Sequence, residues 1–263
     1  MTVTIEEVID RILERIPGGR LEETVDTVKC GDPTQEVTGI VTTFLASYGV
    51  IERAVQLGAN FIITHEPTFY NHADDVEDIE DDEVYQAKRR LLDEHKIVVW
   101  RFHDHWHRHE PDGIGLGVVK ALGWAPYVGE DLGPILHIPA TTVGELAHEL
   151  KAKLGIDIVR VVGDLSMPCE TVALMVGAPG AEWQMQMLGR DSVDVLLTGE
   201  VREWETSEYA RDAVAQGRDK ALIVLGHAKS EEPGMAYLVE WLQPLVPGVT
   251  ITHVPVGDAF RYV

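Results

Sequence analysis

Short apolar runs rich in β-branched residues recur along the chain, and amphipathic stretches separate them. Asn60–Thr64 (NFIIT), Lys96–Phe102 (KIVVWRF), Val193–Thr198 (VDVLLT) and Lys220–Leu225 (KALIVL) are nearly continuous in apolar residues. Runs of this kind fit strands covered on both faces, which occur in mostly parallel sheets flanked by helices. Glu36–Leu45, Ile158–Val162, Thr171–Val176 and Val249–Val254 read as further strands. The intervening helices are marked by their caps and periodicity. Thr4-x-x-Glu7 is a capping box ahead of Ile5, Val8, Ile9, Ile12, Leu13 and Ile16, and Pro17-Gly18-Gly19 stops that helix. Thr142-x-x-Glu145 is a second capping box, with Leu146, Ala147, Leu150 and Leu154 on one face. Val50–Leu57, Glu83–His95, Gly113–Leu122, Arg202–Gln216 and Glu231–Leu242 read as helices too. The class is α/β with mostly covered sheets.

The chain of 263 residues carries 22 Lys+Arg against 44 Asp+Glu, a net charge of −22. Phosphate backbones and anionic membranes are bound by clustered Lys and Arg, so neither nucleic acid nor a membrane is expected as a partner. The densest charge run, Asp74–Glu83, lacks the order of a calcium loop and reads as a solvated loop or helix start. Two cysteines, Cys30 and Cys169, cannot make a disulfide framework, and the opening residues lack the regions of a signal peptide. A cytoplasmic location is the expectation.

Metal-ligand side chains cluster just past three of the apolar runs, where α/β folds keep their sites. FIITHEP gives His65 and Glu66; IVVWRFHDHWHRH gives His103, Asp104, His105, His107 and His109; VLGHAKSEEPG gives His227 and Glu231. Imidazoles with carboxylates suit zinc, manganese, iron or nickel. A single His after a strand is more often a partner of backbone groups, and Glu231 suits a first helical turn without any ligand. The run from His103 to His109 places four histidines at period two, which a continued strand would put on one face. His103-x-His105 superficially matches the His-x-His-x-Asp-His signature of metallo-β-lactamase-type hydrolases. Position 107 is His where that signature has Asp, and position 108 is Arg where it has His.

Four stretches in order carry a resemblance over almost the whole chain: AVQLGANFIITHEP (Ala54–Pro67), Ile97–Arg108, DVLLTGE (Asp194–Glu200) and GHAKSE (Gly226–Glu231). Together they resemble the Nif-three-like family of dinuclear-metal hexameric proteins, some of which are named GTP cyclohydrolase 1 type 2 homologues. The resemblance implies two metals per chain on five ligands. By position these are His65, Glu66 in place of the family's second His, His107 in place of its Asp, His227 and Glu231. His103 matches the His that precedes that Asp, and Asp104 is the alternative carboxylate. The two departures are opposite in sense, so the set keeps three imidazoles and two carboxylates. Trp204 stands where the family usually has a His, and the family's N-terminal Asp-Asn-x-Gly-Leu stretch is replaced near VDTVKCGD.

The resemblance further implies a metal lobe from residues 1–123 and 190–263, an inserted α/β lobe from 124–189, and a homohexameric ring. The expected function is hydrolysis of a small molecule with a cyclic amide, amidine or phosphoester bond, with Glu66, Glu200 or Asp104 as proton acceptor. The alternative is a non-catalytic, metal-binding or regulatory hexamer.

Overall fold

Thr4 and Glu7 close the expected capping box: the Thr4 hydroxyl accepts from the Glu7 amide, and the Glu7 carboxylate accepts from the Thr4 amide. The helix they open, α1 (Ile5–Leu13), buries Ile5, Val8, Ile9, Ile12 and Leu13. The computed structural model describes residues 3–129 and 133–263. After α1 come β1 (Val28–Cys30), β2 (Ile40–Thr43), α2 (Tyr48–Leu57), β3 (Phe61–Thr64), α3 (Glu83–Glu94), β4 (Val98–Arg101), α4 (Asp104–Arg108) and α5 (Gly113–Leu122). Then follow β5 (Ile135–Thr142), α6 (Val143–Leu154), β6 (Arg160–Val162), β7 (Pro168–Met175), α7 (Ala181–Leu188), β8 (Val195–Thr198), α8 (Glu208–Ala215), β9 (Ala221–Val224), α9 (His227–Leu242) and β10 (Ile251–His253).

The chain divides into two units, Met1–Ile114 with Gly234–Gly257, and Gly115–Pro233 with Asp258–Val263. The first holds a sheet of order β1-β4-β3-β2-β10, in which only β1 runs antiparallel to its neighbour. Strands β2, β3 and β4 are buried at every residue, as continuous apolar runs require. Val41, Ile62 and Val99 face one way and pack with Val50, Ile51 and Ala54 of α2 and Tyr85 and Leu92 of α3. Trp100, Phe102 and Trp106 form an aromatic ladder that continues to Trp241 of α9.

The second unit holds a sheet of order β5-β7-β8-β9-β6, with β7, β8 and β9 parallel and both edges antiparallel. Val172, Val195, Leu197 and Ile223 pack with Leu146 and Leu150 of α6, below the second capping box. Ala173, Leu196 and Leu222, one residue out of phase, pack with Leu188 of α7 and Ala210 of α8.

Strand β8 hydrogen-bonds with β7 and β9 with β8, so residues 190–233 fold with the middle segment instead of with the first lobe. The sequence expectation of a lobe limited to 124–189 therefore drew its boundary at the wrong place. A parallel strand needs a partner of the same direction, and β7 is the one within reach through the α7 crossover. The strands β1 and β5 have no counterpart among the expected elements.

Among the described residues of the first unit two cations are buried, Arg101 and Lys88. The Lys88 ammonium donates to the Thr68 carbonyl and lies 4.9 Å from the Tyr70 ring centre. Nearby, Lys29 pairs with Asp74 at 3.3 Å, and Asp74 accepts from the Phe69 amide, so this end of the acidic run is buried and structural. Burial lowers the Lys88 pKa from 10.5 to about 8, against the opposing pull of Asp74. Between those two values the unfolded chain binds more protons, so stability rises with pH. Wild type is expected to gain about 2 kcal/mol relative to Lys88→Met between pH 8 and 10. Urea denaturation of both proteins across that range measures it, and parallel curves would contradict it.

Candidate metal centre

In-register parallel pairing brings the ends of β3 and β4 side by side: Thr64 lies opposite Arg101, and the Phe102 amide donates to the Thr64 carbonyl. The residues that follow are His65-Glu66 on one strand and His103 on the other. After β4 the chain does not stay extended. It turns into α4, so His103 and His107, four residues apart, share a helical side while His105 and His109 point elsewhere. The expectation that a continued strand would align all four histidines is corrected here.

The physical cause is Asp26, which the sequence reading missed. Its buried carboxylate accepts from three successive amides, His103 (2.7 Å), Asp104 (3.0 Å) and His105 (2.8 Å). Those are the unsatisfied donors at the start of α4, so Asp26 sets where the strand ends and the helix begins. The same carboxylate lies 2.6 Å from His105 Nδ1, while His105 Nε2 accepts from the Leu21 amide. Both ring nitrogens of His105 thus serve the scaffold. The His109 ring packs 5.0 Å from Trp106 and 5.6 Å from Trp241. The only sign of Asp26 in the sequence is an acid in an irregular stretch, and nothing local ties it to a loop nearly eighty residues away.

Three imidazoles converge. Ring centres of His65 and His103 are 4.6 Å apart, of His65 and His107 5.0 Å, and of His103 and His107 4.9 Å. One nitrogen from each lies within 4.8 Å of the others, a spacing that can hold a metal ion. His65 is fully buried. Burial first, and then the neighbouring His107 and His103, push its pKa well below 6.5, so it is the neutral form that metals take. Around the trio stand carboxylates. His103 Nδ1 lies 2.8 Å from Asp104, and His107 Nδ1 lies 2.7 Å from Asp112. Asp104 also accepts from the Thr24 hydroxyl and the Val25 amide. Burial raises its pKa, but these hydrogen bonds outweigh that and hold the carboxyl at about 2.

Glu66 sits under Arg101. That guanidinium is fully buried and donates to the carbonyls of His65 (3.1 Å) and His72 (2.6 Å), with Nη2 3.4 Å from Glu66 Oε2. The other oxygen, Oε1, is 3.9 Å from His103 Nε2.

The second unit repeats the logic. Thr198 of β8 lies opposite Val224 of β9, and the Gly226 amide donates to the Gly199 carbonyl. Glu200 and His227 therefore emerge together, with His227 Nδ1 3.1 Å from Glu200 Oε2. Helix α9 begins at His227, four residues earlier than expected, so His227 and Glu231 are one turn apart, and Nε2 lies 3.1 Å from Glu231 Oε2. The buried Glu231 side chain lies against Gly177, whose missing side chain leaves room for it. Trp204 lies in a wide helical turn, Glu203–Ser207, and is 74% exposed.

Two α/β units set imidazoles and carboxylates at the carboxyl ends of adjacent parallel strands, and the first unit's trio could hold a metal ion. The comparisons with known proteins show the family. The model of the Duf34/NIF3 (NGG1p interacting factor 3) family matches residues 3–256, and the chain belongs to that family. The GTP cyclohydrolase 1 type 2 homolog of Clostridium perfringens is 25% identical over 239 residues, covering 86% of each protein. Among solved structures, a Bacillus cereus protein related to NIF3 superposes with a TM-score of 0.79 at 17% identity, over 99% of both chains. Reduced HcgD from Methanocaldococcus jannaschii does so with 0.69 at 17%, over 96% of this chain and 98% of that one. These structural likenesses concern the fold, the two-sheet α/β architecture described above.

Proposed function

We propose that this chain binds two divalent ions and hydrolyses a small molecule carrying a cyclic amide, amidine or phosphoester bond. The observation that carries the reading is the convergence of His65, His103 and His107 around a buried ring held neutral. The first unit gathers His65, Glu66, His103, Asp104 and His107 at its strand ends, and the second gathers Glu200, His227 and Glu231. Borderline ions such as zinc, iron, nickel or manganese fit imidazole mixed with carboxylate. Bound there, such ions supply Lewis acidity toward water and a substrate oxygen.

The protein's own groups divide the remaining work. Asp104 stays ionised and orients His103, because three hydrogen bonds stabilise its charge. Glu66 is turned toward Arg101, with Oε2 3.4 Å from Nη2. Glu200, exposed and bonded to His227, is the carboxylate best placed to accept a proton and return it to a leaving group. An acidic chain disfavours a highly anionic substrate except where a metal offsets the field. Turnover across a panel of cyclic amides, nucleotides and phosphoesters is expected for at least one class, abolished by chelation and reduced at least ~100-fold by Glu200→Gln. Metal binding without turnover in any class would leave the alternative, a regulatory metal-binding scaffold, which the replacement of the family's His by exposed Trp204 favours.

Assembly as a homohexameric ring belongs to the same reading. It rests on the family, since a charge of −22 opposes self-association unless the contacts are extensive. Light scattering is expected to give about six times the chain mass of 29.2 kDa, and a monomer across a concentration series would exclude it. Among the described residues, no helix is long and apolar enough to cross a membrane.

A further inference from the structure

We infer that the first unit holds its ion on three imidazoles, His65, His103 and His107, each through Nε2, and that Glu66 is the counter-ion of Arg101 and not a ligand. The inference rests on the metal-binding reading above and changes the ligand set that the family resemblance implies, adding His103 and removing Glu66.

The tautomers come first. His65 Nδ1 lies 3.2 Å from the Phe102 carbonyl oxygen, His103 Nδ1 2.8 Å from Asp104 Oδ1, and His107 Nδ1 2.7 Å from Asp112 Oδ2. Carbonyl and carboxylate oxygens are acceptors, so all three rings carry their proton on Nδ1 and their basic lone pair on Nε2. Ligating histidines characteristically have their other nitrogen tied in this way, to a backbone carbonyl or a carboxylate. Three rings doing so, from a strand end and two positions of one helical turn, is an arrangement a surface histidine cluster has no reason to adopt. Asp104 is fixed in turn by Thr24 and Val25, so the orientation of His103 is imposed by the scaffold.

Charge decides the place of Glu66. A fully buried guanidinium requires a carboxylate near it. Glu66 lies 3.4 Å from Arg101 Nη2, and the other two Arg101 bonds go to uncharged carbonyls. Glu66 Oε1 lies 3.9 Å from His103 Nε2, but a carboxylate whose charge Arg101 already draws on is a weaker counter-charge for a divalent ion than one without a buried cation beside it. The ion's charge is balanced by Asp104 and Asp112 behind the rings. Three neutral imidazoles select zinc or a neighbouring transition ion over magnesium or calcium.

The test is zinc titration of the full chain by calorimetry, with circular dichroism of each variant to confirm folding. His103→Ala is expected to weaken one zinc equivalent at least ~10-fold, and Glu66→Gln by less than ~3-fold. Independently of any variant, ¹⁵N-histidine spectra of zinc-loaded wild type should show three rings protonated on Nδ1 and coordinated through Nε2. If Glu66→Gln removes the zinc, His103→Ala leaves it, and the spectra show His103 uncoordinated, this assignment falls while the metal-binding reading stands. If wild type takes up no zinc, both fall.

Discussion

Asp26→Ala is expected to destabilise the protein by roughly 4 kcal/mol and to abolish metal binding by the first unit. The buried carboxylate accepts from the amides of His103, Asp104 and His105 and faces the His105 ring. Its removal strands three backbone donors at the start of α4. The turn must then re-form, and both His103 and His107 move with it. Asp26→Asn separates the two consequences. It keeps one acceptor oxygen but turns an NH₂ toward the donors on the other side, so about 2 kcal/mol should be lost while the fold survives. Denaturant unfolding and zinc affinity of both variants provide the check. Equal zinc affinity in wild type and Asp26→Asn would mean that α4 is set by something else.

The second large effect is expected at Gly177. Its φ is +70°, and a methyl group there would overlap Glu231 Oε1 and lie 2.8 Å from Glu231 Cδ. Gly177→Ala should therefore displace the buried Glu231, break its 3.1 Å approach to His227, and remove metal from the second unit. The backbone conformation alone costs about 1 kcal/mol for a residue with a Cβ. Gly180→Ala supplies the control, since Gly180 also has positive φ (+92°) but open space around the added carbon. Expected losses are about 1 kcal/mol and unchanged metal for Gly180→Ala, against at least about 3 kcal/mol and lost metal for Gly177→Ala. Similar behaviour of the two variants would show that only backbone strain matters at Gly177.

The contrast between Asp26 and His65 shows what a sequence of this kind discloses. That His65, Glu66, His227 and Glu231 stand together at strand ends was legible because each follows an apolar run whose burial fixes it as a strand. The capping boxes at Thr4 and Thr142 were legible because both partners lie within one turn. Asp26 acts across a fold contact, so no local pattern signals it. The histidines from 103 to 109 misled through their period of two, since a side-chain repeat cannot tell where a strand stops when a distant carboxylate ends it. The strands β1 and β5 escaped because one is short and the other, Ile135–Thr142, is half-exposed with a proline within it. The unit boundary was misplaced because partners of parallel strands are chosen by tertiary pairing, which the runs themselves do not encode.

Metal binding through the converging imidazoles is read by elemental analysis of the full chain after incubation with zinc and exhaustive dialysis. About two ions per chain are expected, removable by a strong chelator, with a melting temperature that falls when they leave. His65→Ala, which takes away the buried ring at the centre of the trio, should retain about one ion fewer than wild type. A folded wild-type protein that keeps no zinc, or a His65→Ala protein that keeps all of it, would rule out metal binding by these rings.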